Sequence, residues 1–246
     1  MTRVTHRLRA LGLAASTASL AVAQAPAPPP APFREGTVEA SFVGTTGNSA
    51  TQSVGYGSEL ILRPSLWEAR FKLAYVRNEV EGVAQAEAIA ATARGQRKFV
   101  DRASFFASYG YLSDRFAGTS ARHTADFGIN AQVIAEEVHT LSADIGGGYA
   151  TDKRTAGAGV STAIASAGAL YKWKISATAD FTEDLRYVGA IPDGADWRYT
   201  NSAAIAARIS SVLSLKVSNT IRYVNLPVVS FVATDVVTSV AIVAKF

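Results

Sequence analysis

Two histidines, His123 and His139, carry all the imidazole chemistry beyond the N-terminal segment that holds His6. There is no cysteine, so thiolate zinc sites, cysteine nucleophiles and disulfides are excluded. Two histidines alone are a poor metal set. A serine nucleophile needs a base within hydrogen-bond reach and a third group to orient that base. Ser113 and His123 are the one pair worth weighing. Neither a G-x-S-x-G elbow nor an orienting Asn or Asp accompanies them, so a phospholipase-like, lipid-acting enzyme stands only as the rival reading. The expectation is no enzymatic activity and no cofactor. Gly146-Gly147-Gly148 opens no helix, so it lacks the context of a phosphate loop; glycines inside a strand make room for close packing.

The remaining chemistry is charge, and its placement follows a period of two. Trp67, Ala69, Phe71, Leu73 and Tyr75 alternate with Glu68, Arg70 and Lys72. Ala125, Phe127, Ile129 and Ala131 alternate with Asp126, Gly128 and Asn130, and Leu213, Leu215, Val217 and Ile221 with Ser214, Lys216 and Thr220. A helix would scatter these charges around its whole surface, whereas a strand gathers them on one face. The face opposite the apolar one collects Glu39, Glu59, Arg63, Glu68, Arg70, Lys72, Arg94, Asp126, Asp144, Lys174, Asp180, Arg208, Lys216 and Arg222. If the sheet closes on itself, these residues line a lumen. They then either fill it as an ion-pair network or border a narrow pore for small solutes.

Several features point to closure within a membrane rather than to a secreted soluble sandwich, which also alternates. No apolar run is long enough for a spanning helix. Tyr75, Tyr111, Tyr149, Tyr187 and Tyr223 recur at spacings of 36, 38, 38 and 36 residues. Membrane strands need about 9–11 residues, so each period fits one hairpin. The tyrosines would form one interfacial ring, and Trp67, Phe99, Trp173 and Phe246 the other. Short connections are expected near Pro64-Ser65, Val100-Asp101, Glu136-Glu137, Lys172 and Ser210-Ser211, with longer ones after each tyrosine. The expectation is an all-β fold, a closed antiparallel up-and-down barrel of about twelve strands. Their limits are 37–45, 51–63, 66–77, 84–98, 103–114, 121–135, 139–152, 160–171, 173–187, 196–209, 212–224 and 234–246.

The ends of the chain fit export. Residues 1–23 read as a signal peptide: a basic start with Arg3, Arg7 and Arg9, an apolar middle, and Ala21-Val22-Ala23 before the cut. Residues 24–35 contain APAPPPAP, a polyproline-like periplasmic linker, and 36–246 form the barrel. Without the three leader arginines, 21 basic side chains face 20 acidic ones, so the formal charge of +4 gives no reason to expect nucleic-acid binding. The last strand, TDVVTSVAIVAKF, puts Val236, Thr238, Val240, Ile242, Ala244 and Phe246 on one face and ends on an aromatic. That ending resembles the C-terminal signature of outer-membrane barrels, and implies the barrel-insertion machinery as a partner.

The run Tyr109-Gly110-Tyr111-Leu112-Ser113-Asp114-Arg115-Phe116-Ala117-Gly118, the Thr46-Gly47-Asn48-Ser49 turn and Leu141 through Gly148-Tyr149 resemble the salt-stress-induced outer-membrane protein family of Gram-negative bacteria. The resemblance spans about Gly36 to the C-terminus. It implies an outer-membrane barrel of the cell envelope with no established biochemical activity. Membrane lipid is then the surrounding partner. Arg115, Lys153 and Arg154, with other arginines near the tyrosine ends of their strands, would meet the phosphates of lipopolysaccharide.

Overall fold

The computed structural model describes residues 32–45 and 51–246. The signal peptide, most of the linker and the Thr46–Ser49 turn lie outside the described residues. Among those described, twelve strands alternate in direction: β1 (Arg34–Thr45), β2 (Thr51–Leu62), β3 (Trp67–Val80), β4 (Val83–Val100), β5 (Ala103–Asp114), β6 (Thr119–Ala135), β7 (His139–Arg154), β8 (Val160–Lys174), β9 (Ala179–Ala190), β10 (Trp197–Arg208), β11 (Leu213–Val224) and β12 (Thr234–Lys245). Every strand pairs with its sequence neighbours, and β1 pairs with β12, so the sheet is a closed up-and-down barrel. One sheet closed on itself is not two sheets packed face to face, and the sandwich reading falls. No helix among the described residues is long and apolar enough to cross a membrane.

Closure decides what alternation means here. Paired residues share a face, so the register carries each face around the ring. Glu59 opposes Lys72, Lys72 opposes Thr92, Arg94 opposes Ser108, and Ser108 opposes Asp126. All of these point inward. Phe71, Leu73, Phe127, Ile129, Ile145, Val240 and Ile242 point outward and are exposed, Phe127 and Ile145 to 70% each. The exposed exterior is apolar and the interior carries the charge, the reverse of a soluble protein.

Two connections and the start of the barrel depart from the sequence reading. The β8–β9 turn falls at residues 175–178 rather than near Lys172. Lys172 and Lys174 remain in the ladder opposite Thr182 and Asp180, and the Ser176 hydroxyl accepts from the Thr178 amide at 3.2 Å to form the turn. The connection after Tyr75 is no loop: β3 and β4 run on to a two-residue turn, Glu81-Gly82, with φ of 52° and 78°. Positive φ at both positions matches the twist of the flanking strands, which lets the hairpin extend. At the start, β1 begins at Arg34, so Arg34 and Glu35 belong to the wall.

Gly128, Gly146 and Gly148 show why β6 and β7 need glycine. A Cβ on Gly128 would overlap the Ile145 carbonyl, and one on Gly146 would come within 3.0 Å of the Phe106 ring. That ring is only 2% exposed although it is on the lumen side. It lies on a floor of missing side chains.

Candidate functional site

The lumen is the candidate site. At the end where β1 starts and β12 stops, here the terminal end, Arg63 on the β2–β3 turn reaches Glu35 and Glu68 at 3.2 Å each. Arg70 reaches Glu68 at 3.0 Å and Glu59 at 3.4 Å. Lys216 holds Glu39 at 2.6 Å. Arg70 is the direct cross-strand partner of Arg94, a like-charge pairing that costs stability unless other groups compensate. Arg94 turns instead to Asp144 at 3.1 Å, and its guanidinium stacks 3.9 Å above the centre of the Phe106 ring.

The middle of the lumen is a cluster about two carboxylates. Asp144 also accepts from Arg186 at 2.7 Å. Arg186 bridges on to Asp126, which further accepts from Ser108 and, at 2.8 Å, from Ser166. Asp126 is 2% exposed at its side chain and Asp144 12%, against 28% for Arg186. The carboxylates are sunk in the wall and the guanidinium stands in front of them. At the tyrosine end Arg222 likewise stands in front of Asp114 at 3.3 Å, and the buried Asp152 is held by Arg122, as buried as itself, at 3.2 Å and by the more exposed Arg198 at 3.7 Å. Arg198 also holds Asp196 at 3.3 Å.

Two bridges cross the lumen. In the ring order β3 stands opposite β9, and β5 opposite β11. Lys72 on β3 meets Asp184 on β9 at 3.2 Å, and Asp114 on β5 meets Arg222 on β11. The YGYLSDRFAG run has a structural role in the second bridge. Asp114 accepts from the Ala117 amide at 3.0 Å, and Gly118 closes the single 3-10 turn in the left-handed region with φ 81°. That turn leaves the second Asp114 oxygen for Arg222. The β11–β12 connection packs on the turn, with Val228 and Phe231 against Gly118.

A cavity of about 910 Å³ fills the remaining lumen. It is lined from the terminal end (Ser65, Asp101, Arg102) to the tyrosine end (Ala117, Leu226, Val232). Twelve Lys and Arg side chains line it against eight Asp and Glu. Lys98, Arg102, Arg154 and Lys172 are lining residues that have no carboxylate at ion-pair distance among the described residues.

Of the residues singled out from sequence, Glu39, Glu59, Arg63, Glu68, Arg70, Lys72, Arg94, Asp126, Asp144, Lys216 and Arg222 meet in this network. Lys174, Asp180 and Arg208 also have inward parity, but they sit at the terminal rim, exposed and outside it. Arg186, Asp184 and Phe106 are central; Arg186 was expected among the arginines of the outer rim and instead meets Asp126 and Asp144 in the lumen, and the other two were not singled out. The first two follow from parity once the β8–β9 turn is placed; Phe106 shows no signal, because Phe105 beside it has the same composition and the opposite facing.

The aromatic residues collect outside. Tyr75 stacks with Tyr56, ring centres 6.4 Å apart, and Tyr187, Trp197, Tyr199 and Tyr223 make a continuous band. Tyr149 is exposed and Tyr111 contacts His123. At the other end Trp67 lies under Arg97, Trp173 stacks on His139, and Phe246 covers Gly36. Arg115 and Lys153 are exposed, whereas Arg154 turns into the cavity mouth.

The Ser113–His123 pair does not meet. His123 Nδ1 is 2.6 Å from the Tyr109 hydroxyl, and Ser113 donates to the Ser120 carbonyl at 3.0 Å. No group of three or more His, Asp or Glu suited to a metal ion occurs among the described residues.

Residues 38–246 match the family described as "protein of unknown function, DUF481", and the chain belongs to it. The uncharacterized protein YdiY of Escherichia coli (strain K12) is 24% identical over 215 residues, covering 87% of this chain and 82% of that one. Neither carries a stress assignment. Among solved structures, the NanC porin aligns with a TM-score of 0.48 at 9% identity over 86% of this chain and 98% of that one. The KdgM porin gives 0.41 at 9% identity over 87% and 98%.

Proposed function

We propose that this member of the DUF481 family is an outer-membrane β-barrel forming a narrow pore for small anionic solutes. The observation that carries the reading is one continuous cavity lined by residues from both ends of the barrel. An apolar exterior between two aromatic bands supports the membrane setting, since only a closed barrel or a helix satisfies its backbone in lipid. The basic start and Ala21-Val22-Ala23 support export through a cleaved signal peptide; the terminal end then faces the periplasm. Anion preference rests on cations standing in front of sunken carboxylates. A field inside a low-dielectric wall raises the local concentration of the opposite charge.

A second reading, a structural envelope component with a closed lumen, is favoured by the two cross-lumen bridges. Refolded barrel in a planar bilayer under a potassium chloride gradient separates the two. Pore formation predicts unitary conductance with a reversal potential of the sign set by chloride. Conductance no greater than that of a bare bilayer would leave the structural reading. A potassium-selective reversal potential would overturn the anion assignment.

A further inference from the structure

In the ring order the β11–β12 hairpin stands directly opposite the β5–β6 hairpin. Their connections nevertheless meet. A Cβ on Gly118, in the β5–β6 turn, would fall 2.9 Å from Val228 Cβ and 3.0 Å from Phe231 Cδ2. Residues 225–233 therefore form a strap that reaches across the tyrosine end of the lumen. Its near end is tied to the β9–β10 connection: the Asn225 amide donates to the Trp197 carbonyl at 2.9 Å, and the Asn225 side chain donates to the Ala195 carbonyl at 3.0 Å. At its tip the Phe231 amide donates to the Val228 carbonyl at 3.0 Å.

The strap is apolar, Leu226-Pro227-Val228-Val229-Ser230-Phe231-Val232. Val228 and Val232 line the cavity, and Val232 is still 72% exposed. Apolar side chains left open to a wet cavity favour a ligand that covers them. A cation stands beside them. Arg154 opposes Thr119, and the next amide, that of Thr155, donates to the Gly118 carbonyl at 2.9 Å. Arg154 thus leaves the wall where the strap lands, and it lines the cavity. Its neighbours at this end, Arg122, Arg198 and Arg222, each hold a carboxylate. Arg154 has none at ion-pair distance among the described residues.

We propose that the space beneath the strap binds small monocarboxylates with a compact apolar body. The carboxylate pairs with the Arg154 guanidinium, whose fork of donors matches it, and the body covers Val228 and Val232. The site rests on the pore reading for the solute's route and names the solute's class. A carboxylate without a body gains only the guanidinium, and an uncharged analogue gains only the strap.

Calorimetric titration of the full barrel in lipid nanodiscs, with empty nanodiscs as the blank, tests this with benzoate, acetate and benzyl alcohol. Benzoate should bind, and each of the other two about tenfold more weakly or less, the loss of one charged hydrogen-bonding partner or one buried apolar face. Arg154→Gln should bring benzoate down to the level of benzyl alcohol, and Arg154→Lys should recover part of the difference. Val232→Ser should bring benzoate towards acetate. Arg208→Gln, at the terminal rim, should change nothing. Equal affinity for benzoate and acetate, benzoate binding indifferent to Arg154→Gln, or an equal loss in Arg208→Gln would each overturn the proposal. The three-probe comparison uses the native protein, so it stands even if a variant fails to assemble. Benzoate binding without conductance would remove the pore reading and leave the site; chloride conductance without benzoate binding would remove the site and leave the pore.

Discussion

Gly36 and Phe246 exchange both of their backbone hydrogen bonds, each at 2.9 Å, and the Phe246 ring occupies the space where a Gly36 side chain would stand. A Cβ there would lie 2.5 Å from ring carbon Cε2. Beyond this pair, β1 and β12 register only through Thr37–Ala40 against Lys245–Ile242, whereas β1 and β2 register from Arg34 to Thr45. Phe246 is thus half of a short seam that closes the barrel.

Removing Phe246, or replacing it with Asp, should leave unfolded chain in the periplasm and little heat-modifiable barrel in outer-membrane fractions. Gly36→Val should act in the same direction, because a β-branched side chain and the ring cannot share the space. Normal amounts of heat-modifiable barrel from the Phe246 deletion would show that the seam closes without its aromatic.

Facing can be tested by charge insertion. Leu73, Ile129 and Leu215 point outward and are exposed, while Ser214 and Thr220 lie on the lumen side of β11, opposite Val243 and Val237. Arginine at the first three should destabilise the barrel by roughly 2–4 kcal/mol where the position is near the bilayer midplane. At Ser214 or Thr220 the loss should be much smaller. Denaturant titration in phospholipid vesicles gives both numbers; equal losses would reverse the assigned faces.

The Lys72–Asp184 bridge is the cross-lumen contact with the most exposed partners, 42% and 44% at their side chains. Solvated pairs of that kind contribute at most ~1 kcal/mol, so the bridge restricts the lumen without supporting the fold. Lys72→Met should raise unitary conductance with a change in stability under ~1 kcal/mol. The exchange Lys72→Asp with Asp184→Lys should restore the narrow state. High ionic strength should weaken the bridge in the native protein as well. Unchanged conductance in Lys72→Met would mean that the passage lies elsewhere in the lumen.

Of the arginines near the tyrosine end, Arg122, Arg186, Arg198 and Arg222 are committed to carboxylates in the lumen, and Arg77 to Glu79 and Glu87. Arg115 and Lys153 remain exposed, and we propose that these two meet lipopolysaccharide phosphates. Arg115→Glu with Lys153→Glu should reduce the lipopolysaccharide that stays with the protein through detergent purification. Refolding in plain phospholipid should be unaffected. Arg154→Glu alone should change lipopolysaccharide retention little, since it faces the cavity. Equal retention by native protein and double variant would remove these two residues from any lipid contact.

Strand number, strand direction and the facing of most charges were legible from the period-two pattern, because closing a sheet makes alternation equivalent to inside and outside. Trp67 to Tyr75 is enough to assign one wall, and the tyrosine spacing assigns the hairpins. The β8–β9 turn was not legible at its true place: Lys172 to Thr178 has no Gly or Pro to mark a stop, and the ladder to β9 decides how far β8 runs. Nor could pattern alone distinguish a loop from an extended hairpin at Glu81-Gly82.

What the sequence by itself determined is a cysteine-free set of alternating strands with one apolar and one charged face, because each of these is a statement about single residues and their parity. Only the tertiary structure decided which charges meet. Lys72 and Asp184 are 112 residues apart, and their meeting depends on ring order and stagger, which no local period encodes.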